Sequence, residues 1–298
     1  MTVNYSSIAA VVVHYESPES LLKTVENLSQ YLSAEQIIVV DNSSSLRPED
    51  LGNVILLNDG RNRGYAGGVN HGIRFVADNL TLVDEILVCT HEALFRDKAL
   101  ESLLTSASMY PHGHVVGPRL ITADANGREI IWSNGGFFSL PFLYPKHDIS
   151  PSARGMRRAD WVDGAAFLID LPTWKKLGGI PEEFFMYMED VAVGELCRKL
   201  KIPVVVNLEA VVEQTANGPS RHLAIRNRIL LAVRYMNFPR NAIVVLEVIL
   251  RQAVMSLHPS KATRQKAAES RSAFSDAIKL ISIARQTGNS ATVVASID

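Results

Sequence analysis

The strongest constraint on the fold is an uninterrupted apolar run near the amino terminus, Ile8–Val13. A strand that is apolar at every position is typical of a parallel sheet that is covered on both faces. Pro18 opens a helix after this run, and a second apolar run, Gln36–Val40, completes a β-α-β unit. The predicted helix has apolar residues at helical spacing, namely Leu21, Leu22, Val25 and Leu28. We therefore predict an α/β fold with a mostly parallel central sheet and helices on both faces.

The composition allows a large buried core and excludes some classes of protein. The chain has 298 residues, of which 47% are hydrophobic and 20% charged, so we expect one large domain with an appendage, or two domains. A formal net charge of -1 gives no overall attraction to nucleic acid, and we expect no nucleic-acid partner. Two cysteines, Cys89 and Cys197, are too few for a disulfide framework and fit a reducing compartment.

The sequence also bears on location. Its amino-terminal segment lacks the basic flank and the cleavage site of a signal peptide. No apolar stretch reaches the ~18 residues that a membrane-spanning helix needs. We expect a cytoplasmic protein whose membrane contact, if present, is limited to a surface at the inner face of the membrane.

Polar residues follow the first two predicted strands. Tyr15 and Glu16 come after the first strand, and Asp41 comes after the second. The carboxyl ends of parallel strands meet at one edge of a sheet, where open α/β folds bind ligands. We expect these three residues to lie on one rim.

A glycine-rich segment follows the third predicted strand, Val54–Leu57. Its glycines permit close backbone approach, and we expect a loop that is suited to phosphates and becomes helical by about Val69. The glycines are Gly64, Gly67, Gly68 and Gly72. The segment lacks the ending of a Walker loop and comes too late in the chain for a dinucleotide fingerprint.

Two adjacent acids, Glu189 and Asp190, follow an aromatic run, Phe184–Tyr187. Ionised carboxylates beside apolar surface lose hydration, so the pair indicates a functional site. The alternative is an ordinary helix start with solvated acids. Upstream we predict a strand, Ala165–Ile169, and a short helix that begins at Pro172.

Three separated segments resemble the family 2 glycosyltransferases, which are inverting sugar-nucleotide enzymes with a GT-A fold. The first is the Val-Val-Asp-Asn-Ser-Ser run at the end of the second strand. The second, Asn62–Gly72, follows N-x-G-x-[AG]-x-[AG]-x-N-x-G, and the third, Trp161–Asp190, follows W-x-x-G-A-[AC]-[FL] and then G-G-[FI]-[DP]-E-x-F-F-x-Y-x-E-D. The resemblance is to rhamnosyltransferase and galactofuranosyltransferase types, covers about residues 8–236, and implies a Rossmann-like sheet.

The resemblance implies transfer of a sugar from a UDP or dTDP donor to an acceptor hydroxyl with inversion, in cell-wall, lipid-linked glycan or polysaccharide synthesis. Asp190 would act as the general base, and Glu189 would either raise its basicity or orient the helix. Trp161, Gly164 and Tyr187 are expected to bind a glycan or lipid-linked acceptor, with the tryptophan and the aromatic run as an apolar wall.

The resemblance places the nucleotide-sugar donor at the carboxyl ends of the strands. The carboxylate of Asp41 can accept an N–H from uracil or thymine, and the diphosphate would lie against the glycine-rich segment. The expected donor-binding residues are Tyr15, Glu16, Asp41, Asn62, Arg63, Gly64, Asn70, Thr90 and His91.

The chain departs from the family at the metal position. Family members carry Asp-x-Asp there, which holds a divalent metal against the diphosphate, whereas this chain has Thr90-His91-Glu92. Glu92 is the candidate ligand for Mg²⁺ or Mn²⁺, His91 can instead offer a cation or a hydrogen-bond donor, and a helix cap at Thr90 is the structural alternative. Relatives also carry a metal-binding His where this chain has Glu213 or Gln214.

The remaining segments carry weaker signals. Phe137–Ala159 is rich in Pro, Tyr, Phe and Arg without periodicity, which predicts a mobile loop over the acceptor side. Its Arg154, Arg157 and Arg158 either meet an anionic acceptor or are solvated.

We divide the chain into a GT-A domain, residues 1–236, and a C-terminal helical extension, residues 237–298. Within the domain, residues 1–120 form the nucleotide-sugar-binding half and residues 121–236 the acceptor and catalytic half. The extension has apolar residues at helical spacing, namely Ile243, Leu246, Leu250 and Val254. They indicate packing on the domain, a homodimer or a peripheral membrane contact.

Three other functions remain open from the sequence. A nucleotidyltransferase requires a basic, glycine-rich loop after the first strand, and none is present there. A non-catalytic or metal-independent sugar-nucleotide-binding relative agrees with the altered metal positions. A membrane-surface scaffold requires C-terminal helices that bind lipid on their own.

Overall fold

The structure, a computed structural model, describes residues 5–215, 220–257 and 261–287. Within these ranges it contains twelve strands and eight α-helices. The strands are β1 (Ile8–His14), β2 (Ile37–Asp41), β3 (Ile55–Leu57), β4 (Glu85–Thr90), β5 (Leu94–Phe95), β6 (Val115–Ala123), β7 (Glu129–Ser133), β8 (Gly136–Ser139), β9 (Tyr144–His147), β10 (Met156–Arg158), β11 (Ala166–Asp170) and β12 (Val204–Glu213). The helices are α1 (Pro18–Leu28), α2 (Gly64–Asn79), α3 (Ala99–Ala107), α4 (Leu171–Leu177), α5 (Glu189–Leu200), α6 (Arg221–Tyr235), α7 (Arg240–Leu257) and α8 (Lys261–Thr287).

Ten of the strands form one sheet. Its order is β10-β12-β6-β11-β4-β1-β2-β3, with β5 paired to β12 and β7 paired to β6. Strands β1 to β4 are parallel, as predicted. Strand β11 runs antiparallel to both β4 and β6, while β6 and β12 are parallel to each other. The α/β class is confirmed, but the sheet as a whole is mixed, because an antiparallel strand needs no crossover helix to enter between two parallel ones.

The first strand supplies two hydrophobic layers. Ala10 and Val12 belong to the layer that includes residues of α1 and α3, and Val11 belongs to the layer that includes residues of α2. All of β1 is buried, which explains its uninterrupted apolar run. On α1 the predicted apolar face is wrong at one position, since Leu22 is 45% exposed and Thr24 is buried.

Helix α2 begins at Gly64, so the segment is helical by Val69, as expected, and the loop ends before the first of these glycines. The glycines lie inside the helix and permit close packing on the sheet. A Cβ atom on Gly72 would lie 2.4 Å from Cγ1 of Val11, and one on Gly68 would also be crowded. The glycine spacing therefore reflects helix-to-sheet packing more than a phosphate loop.

The segment predicted to be a mobile loop, Phe137–Ala159, contains three strands instead. Strands β8 and β9 pair as a hairpin, and β10 adds an edge strand to the main sheet. The Tyr144 ring of the hairpin lies 3.7 Å from Cζ of Arg228 on α6. Strand pairing and contacts with helices hold these strands in place. They do not depend on a regular apolar face, and the sequence therefore showed no apolar periodicity.

The C-terminal helices α6, α7 and α8 pack against one another. Their hydrophobic cluster includes Trp161 and Phe184 from the catalytic half. The predicted apolar face of α7 does not take part, because the opposite face carries the buried Val244 and Val248. The exposed residues are Ile243, Leu246, Leu250 and Val254. Over the described ranges, no helix has both the length and the apolar character required to cross a bilayer.

Candidate active site

The two acids that were predicted to be catalytic begin helix α5. Asp190 accepts hydrogen bonds from the amide of Gly164 through Oδ2 (3.2 Å) and from the amide of Val191 through Oδ1 (2.8 Å). Glu189 is buried beside it. The start of a helix carries a partial positive charge, and the Gly164 contact joins Asp190 to the segment that precedes β11.

The surroundings raise the pKa of both carboxyl groups. Burial, followed by the negative charge of Asp163, raises the pKa of Asp190 to about 7 against the effect of its amide donors. Burial and then the charge of Asp190 raise the pKa of Glu189 well above its ordinary value. Both shifts favour the protonated forms, and with a pKa of about 7 Asp190 can act as a base near neutral pH. The like charge that acts on Asp190 comes from Asp163, whereas the sequence interpretation assigned it to Glu189.

Asp163 lies directly before Gly164 and was missed by the sequence analysis. Its Oδ2 accepts a hydrogen bond from the indole N–H of Trp132 (3.0 Å), and its Oδ1 accepts one from the amide of Ala165 (2.8 Å). Nδ1 of His147 lies 3.7 Å from Oδ2. The available signal was an acid inside the Trp-Val-Asp-Gly motif.

The aromatic loop before α5 has an unusual backbone. Phe185, Tyr187 and Met188 have φ values of 65°, 69° and 74°, in the left-handed region that side chains disfavour. The side-chain amide of Asn227 on α6 donates to the carbonyl oxygens of Met186 and Tyr187, both at 2.8 Å. These bonds stabilise the strained loop that leads to the acids.

Two further contacts fix the start of this loop. Arg226 donates to the carbonyl oxygen of Phe184 at 2.6 Å. The Phe184 side chain is fully buried, so it belongs to the core and not to an apolar wall of the cleft. The Arg-Asn pair of α6 thus acts on the main chain of the catalytic segment.

The amino end of α2 contacts the same loop. The amide of Tyr65 donates to the carbonyl oxygen of Phe185 at 2.7 Å, and the Tyr65 hydroxyl donates to the carbonyl oxygen of Gly164. A Cβ atom on Gly64 would lie 2.3 Å from the Phe185 oxygen. The structure therefore explains Gly64 by the contact between helix and loop, which differs from the predicted donor contact.

Asn70 uses its whole side-chain amide inside the protein. Its Nδ2 donates to the carbonyl oxygen of Ile180 and to Oε1 of Glu182, both at 2.7 Å. Its Oδ1 accepts from the indole of Trp174 (2.9 Å) and from the amide of Ile180 (2.8 Å). Both hydrogens and both lone pairs are occupied, so Asn70 positions this segment and makes no direct contact with a donor.

Asp41 lies at the end of β2 and pairs in register with His14 of β1. Its Oδ1 accepts from the amide (2.9 Å) and hydroxyl (2.7 Å) of Ser43, and its Oδ2 accepts from the amide of Leu46 (2.9 Å). Burial acts to raise the pKa of Asp41, but these hydrogen bonds outweigh it and lower the pKa. Asp41 is 2% exposed and shapes the loop, and one lone pair of Oδ2 remains for a ligand.

The rim beside Asp41 is more open. Its exposed or half-buried residues are Tyr15, Glu16, Asn62 and Arg63. The amide of Glu16 donates to Oγ of Ser43 at 3.0 Å, and Arg63 pairs with Asp59. The loops after β1, β2 and β3 therefore meet at one edge, as the parallel pairing predicts.

The turn after β4 contains the candidate metal position. Thr90 ends the strand and a turn follows, so the alternative of a helix cap at Thr90 is wrong. Nε2 of His91 lies 4.0 Å from Oε1 of Glu92. Burial lowers the pKa of His91, although Val13 and Glu92 oppose the shift, which disfavours the cation. Nδ1 of His91 lies 3.3 Å from the carbonyl oxygen of Val13, so the N–H of the neutral ring is directed to that oxygen.

Glu213 lies at the second position where the family carries a metal ligand. It pairs with Nε of Arg96 at 2.8 Å. Across the described part of the chain, no group of three His, Cys, Asp or Glu side chains is arranged to hold a metal ion. The assignment of Glu92 as the metal ligand stays a prediction.

Trp161 lies in the hydrophobic core. It is 4% exposed, and its ring meets the ring of His147 edge-on, with 4.9 Å between centroids. Gly136 and Gly194 make room for the indole, since a Cβ atom on Gly136 would lie 1.8 Å from Cε2. The predicted role of Trp161 as an acceptor wall is therefore wrong, while Tyr187 is half-buried at the loop.

Residues 9–160 match the family described as Glycosyl transferase family 2. This match covers half of the chain and includes the rim, the turn after β4 and the hairpin. The chain belongs to glycosyltransferase family 2. The glycosyltransferase carries its two candidate acids beyond the matched residues.

Two curated relatives are transferases. The chain is 26% identical over 270 residues to the N-acetylglucosaminyl-diphospho-decaprenol L-rhamnosyltransferase of Mycobacterium tuberculosis, with 78% of this chain and 86% of the relative covered. It is 24% identical over 198 residues to the low-salt glycan biosynthesis hexosyltransferase Agl10 of Haloferax volcanii, with 65% of this chain and 61% of the relative covered.

Two solved structures share the fold. The structure of GalNAc-T7 with UDP, GalNAc and Mn²⁺ aligns with a TM-score of 0.62 at 15% identity and covers 94% of this chain and 57% of its own. The structure of S. aureus TarS residues 1–349 aligns with a TM-score of 0.57 at 14% identity and covers 92% of this chain and 81% of its own. These likenesses support the GT-A fold of the glycosyltransferase.

Replacing Asn227 by Ala removes the amide that holds the carbonyl oxygens of Met186 and Tyr187. We expect the free energy of unfolding to fall by about 2 to 4 kcal/mol, because buried carbonyl groups lose their donors. Turnover should fall at least ~10-fold, because Asp190 follows the loop and would be misplaced. Denaturant unfolding and a transfer assay measure the two effects.

The matched control is Asn79→Ala on the exposed end of α2. The Asn79 amide bonds only to the Phe75 carbonyl oxygen of its own helix, so the free energy of unfolding should change by less than ~0.5 kcal/mol. An Asn227→Ala protein with wild-type stability and turnover would contradict the role given to this amide.

Proposed function

We propose that this glycosyltransferase moves a sugar from a UDP or dTDP donor to a hydroxyl group of a glycan or lipid-linked acceptor, with inversion at the anomeric carbon. The observation that most supports the proposal is the setting of Asp190. It lies at the start of α5, bonds to the Gly164 amide, and has a pKa of about 7. A base with such a pKa is half ionised near neutral pH, where general-base catalysis is most effective.

In this proposal Asp190 accepts the proton of the acceptor hydroxyl as that oxygen attacks the anomeric carbon. The new carbon–oxygen bond forms on the face opposite the leaving group. The bond between the sugar and the diphosphate breaks at the same time, and its electron pair leaves with the nucleoside diphosphate. In its protonated form, which burial favours, Glu189 can donate a hydrogen bond to the acceptor or to Asp190.

We place the donor at the carboxyl ends of β1, β2 and β4. The nucleotide base lies against Tyr15, Glu16 and the loop that Asp41 shapes. The diphosphate lies toward two short segments, Asn62-Arg63 and Thr90-His91. Parallel strand ends and exposed polar groups at one edge support this placement.

A divalent ion, Mg²⁺ or Mn²⁺, fits the site only in part. Glu92 offers one hard carboxylate, and the described residues contribute no cluster of three ligands around it. When bound, such an ion would neutralise charge on the diphosphate. We propose that the guanidinium of Arg63 performs that task.

The names of the relatives support a narrower class of acceptor. One is named for an N-acetylglucosaminyl-diphospho-decaprenol substrate and one for glycan biosynthesis. We propose a lipid-diphosphate-linked acceptor for this chain, in cell-wall or glycan synthesis on the cytoplasmic side of a membrane. We keep residues 1–236 as the transferase domain, with halves 1–120 and 121–236, and residues 237–298 as the helical extension.

The alternative is a relative that binds a sugar nucleotide without transferring the sugar. The Thr-His-Glu turn in place of Asp-x-Asp favours it. Such a protein would bind donor normally and release no nucleotide, with or without acceptor.

We further propose that the exposed face of α7 contacts a lipid bilayer. Apart from Arg251, which pairs with Glu247 at 2.7 Å, every exposed residue of α7 is apolar. They are Ala242, Ile243, Leu246, Ile249, Leu250, Ala253, Val254 and Leu257. An apolar face of this width is typical of a helix that lies in the membrane interface.

Two other observations favour lipid over a second copy of the chain. The β8–β9 hairpin bonds to α7 through Tyr144 and Glu247, and its turn carries the exposed Leu140 and Phe142. Residues 237–298 contain eight Lys or Arg and four Asp or Glu, in a chain whose net charge is -1. A basic segment beside an apolar surface complements anionic lipid.

Replacing Asp190 by Asn removes the base and keeps its size. We expect transfer to fall by at least ~1,000-fold, while calorimetric affinity for the nucleotide sugar stays within about threefold, because Asp190 faces the acceptor. Glu189→Gln is the comparison, and it should lose less than ~10-fold, because burial favours the neutral form of Glu189, which glutamine resembles in shape and charge. Substantial turnover in Asp190→Asn would mean that another group is the base.

A panel of UDP and dTDP sugars tests the donor and the metal. We expect one donor to raise the melting temperature, since a ligand that binds only the folded state stabilises it. Mn²⁺ should strengthen donor binding only severalfold, because Glu92 offers the ion a single carboxylate ligand from the protein. Glu92→Ala should reduce turnover less than Asp190→Asn does. Tight, stoichiometric Mn²⁺ binding to the free protein, with donor binding abolished by EDTA, would contradict this prediction.

Replacing both Leu246 and Leu250 by Glu tests the bilayer contact. Co-sedimentation of the full chain with vesicles of phosphatidylglycerol and phosphatidylethanolamine should weaken at least ~10-fold, because two buried apolar side chains are lost. Leu82→Glu, at a leucine before β4 that is 78% exposed, against 57% for Leu246 and 55% for Leu250, should bind as wild type does. A dimer that the double substitution dissociates, without vesicle binding by wild type, would assign the face to a second copy.

A further inference from the structure

Asp163 and Asp190 approach the same peptide segment from two directions. Asp190 accepts the amide hydrogen of Gly164 (3.2 Å), and Asp163 accepts the amide hydrogen of Ala165 (2.8 Å). Asp163 is further held by the indole N–H of Trp132. Its side chain is 16% exposed. Two carboxylates that bind the adjacent amides of one segment, at a largely buried site, repel each other.

Asp163 is the group whose charge, after burial, raises the pKa of Asp190. Titratable groups near the two acids include Glu189, Tyr65, Cys89, His147 and Tyr187. Burial and then neighbouring acids raise the pKa of Tyr65 and of Glu189, which favours their protonated forms. Burial raises the pKa of Cys89 to about 12 and lowers that of His147 against the pull of Asp163. Tyr187 is also neutral, because burial and Glu189 raise its pKa.

We propose that Asp163 is a positioning residue that keeps Asp190 basic enough for sugar transfer, by holding a negative charge on the far side of the Gly164 peptide. Trp132 and the Ala165 amide fix that charge in place. Asp163 itself touches no substrate. This inference rests on the proposed role of Asp190 as the base, and it adds the group that sets the strength of the base.

The sign of the effect follows from the charge. A neighbouring anion favours the protonated form of Asp190, so the acid limb of the pH profile lies near pH 7. Removing the charge of Asp163 should let Asp190 ionise at lower pH. The variant should therefore keep more of its activity below pH 7, and have a lower maximum because the base is weaker.

The test titrates Asp190 directly and needs no substrate. Protein labelled with [4-¹³C]aspartate is titrated by NMR, and the Asp190 signal is identified by its loss in Asp190→Asn. In Asp163→Asn we expect the midpoint of Asp190 to fall by about one pH unit or more. Asp163→Ser is a second charge-removing variant, since a serine hydroxyl can keep the turn bond to the Ala165 amide.

Two variants separate charge from structure. Trp132→Phe removes the hydrogen bond to Asp163 and keeps its charge, so the Asp190 midpoint should not fall. Asp160→Asn removes a nearby charge whose carboxylate binds the Phe138 amide, and it should leave the midpoint unchanged. Asp163→Glu, which keeps a charge at the position, should restore most of the wild-type value.

With the donor found in the panel, the pH dependence of kcat/KM should shift in the same direction as the NMR midpoint. An unchanged Asp190 midpoint in both Asp163→Asn and Asp163→Ser would overturn the inference, as would an equal fall in Trp132→Phe. Failure of the proposed function is a separate result, because it appears as retained turnover in Asp190→Asn.

Discussion

The site depends on one amide group more than on any other contact. The side chain of Asn227 donates to successive carbonyl oxygens of a loop whose residues take positive φ values without being glycine. A backbone of this kind persists only when its surroundings supply the lost free energy. The loop runs directly into α5, so the direction of both acids is set from α6. This explains why a helix far along the sequence from the donor edge takes part in the site.

The same loop joins the two sides of the sheet. Helix α2, which follows the donor rim, meets it through Tyr65 and Gly64, and the tyrosine hydroxyl reaches the Gly164 carbonyl oxygen. Gly164 in turn donates to Asp190. A buried carboxylate that can titrate near neutral pH needs fixed donors and a controlled charge nearby. The structure supplies the donors through two main-chain amides and the charge through Asp163.

The features that the sequence predicted well are those that burial or local backbone preference determines. Ile8–Val13 is apolar throughout because both faces of β1 are covered, and Pro172 and Gly178 bound α4 through local backbone preferences. Partners across the fold were harder to predict. Asn70 looked like a ligand contact in its motif, yet its amide is used by a segment more than a hundred residues later. The sequence suggested that Trp161 forms a surface for sugars, but Gly136 and Gly194 leave space for its side chain in the core. Asp163 was overlooked because its importance depends on Trp132 and Asp190, which only the fold brings near.

The contact between Gly64 and Phe185 has a consequence for how such enzymes diversify. A helix start in the first half of the chain fits a loop in the second half with no room for a single methyl group. Chimeras that join the amino-terminal half of this protein to the carboxyl-terminal half of a relative should therefore fail unless both sides of that contact come from the same parent. Recombination between related genes would therefore give few functional proteins when the junction lies between these halves. New donor and acceptor preferences would arise more readily by changes in the outer loops than by exchange of halves.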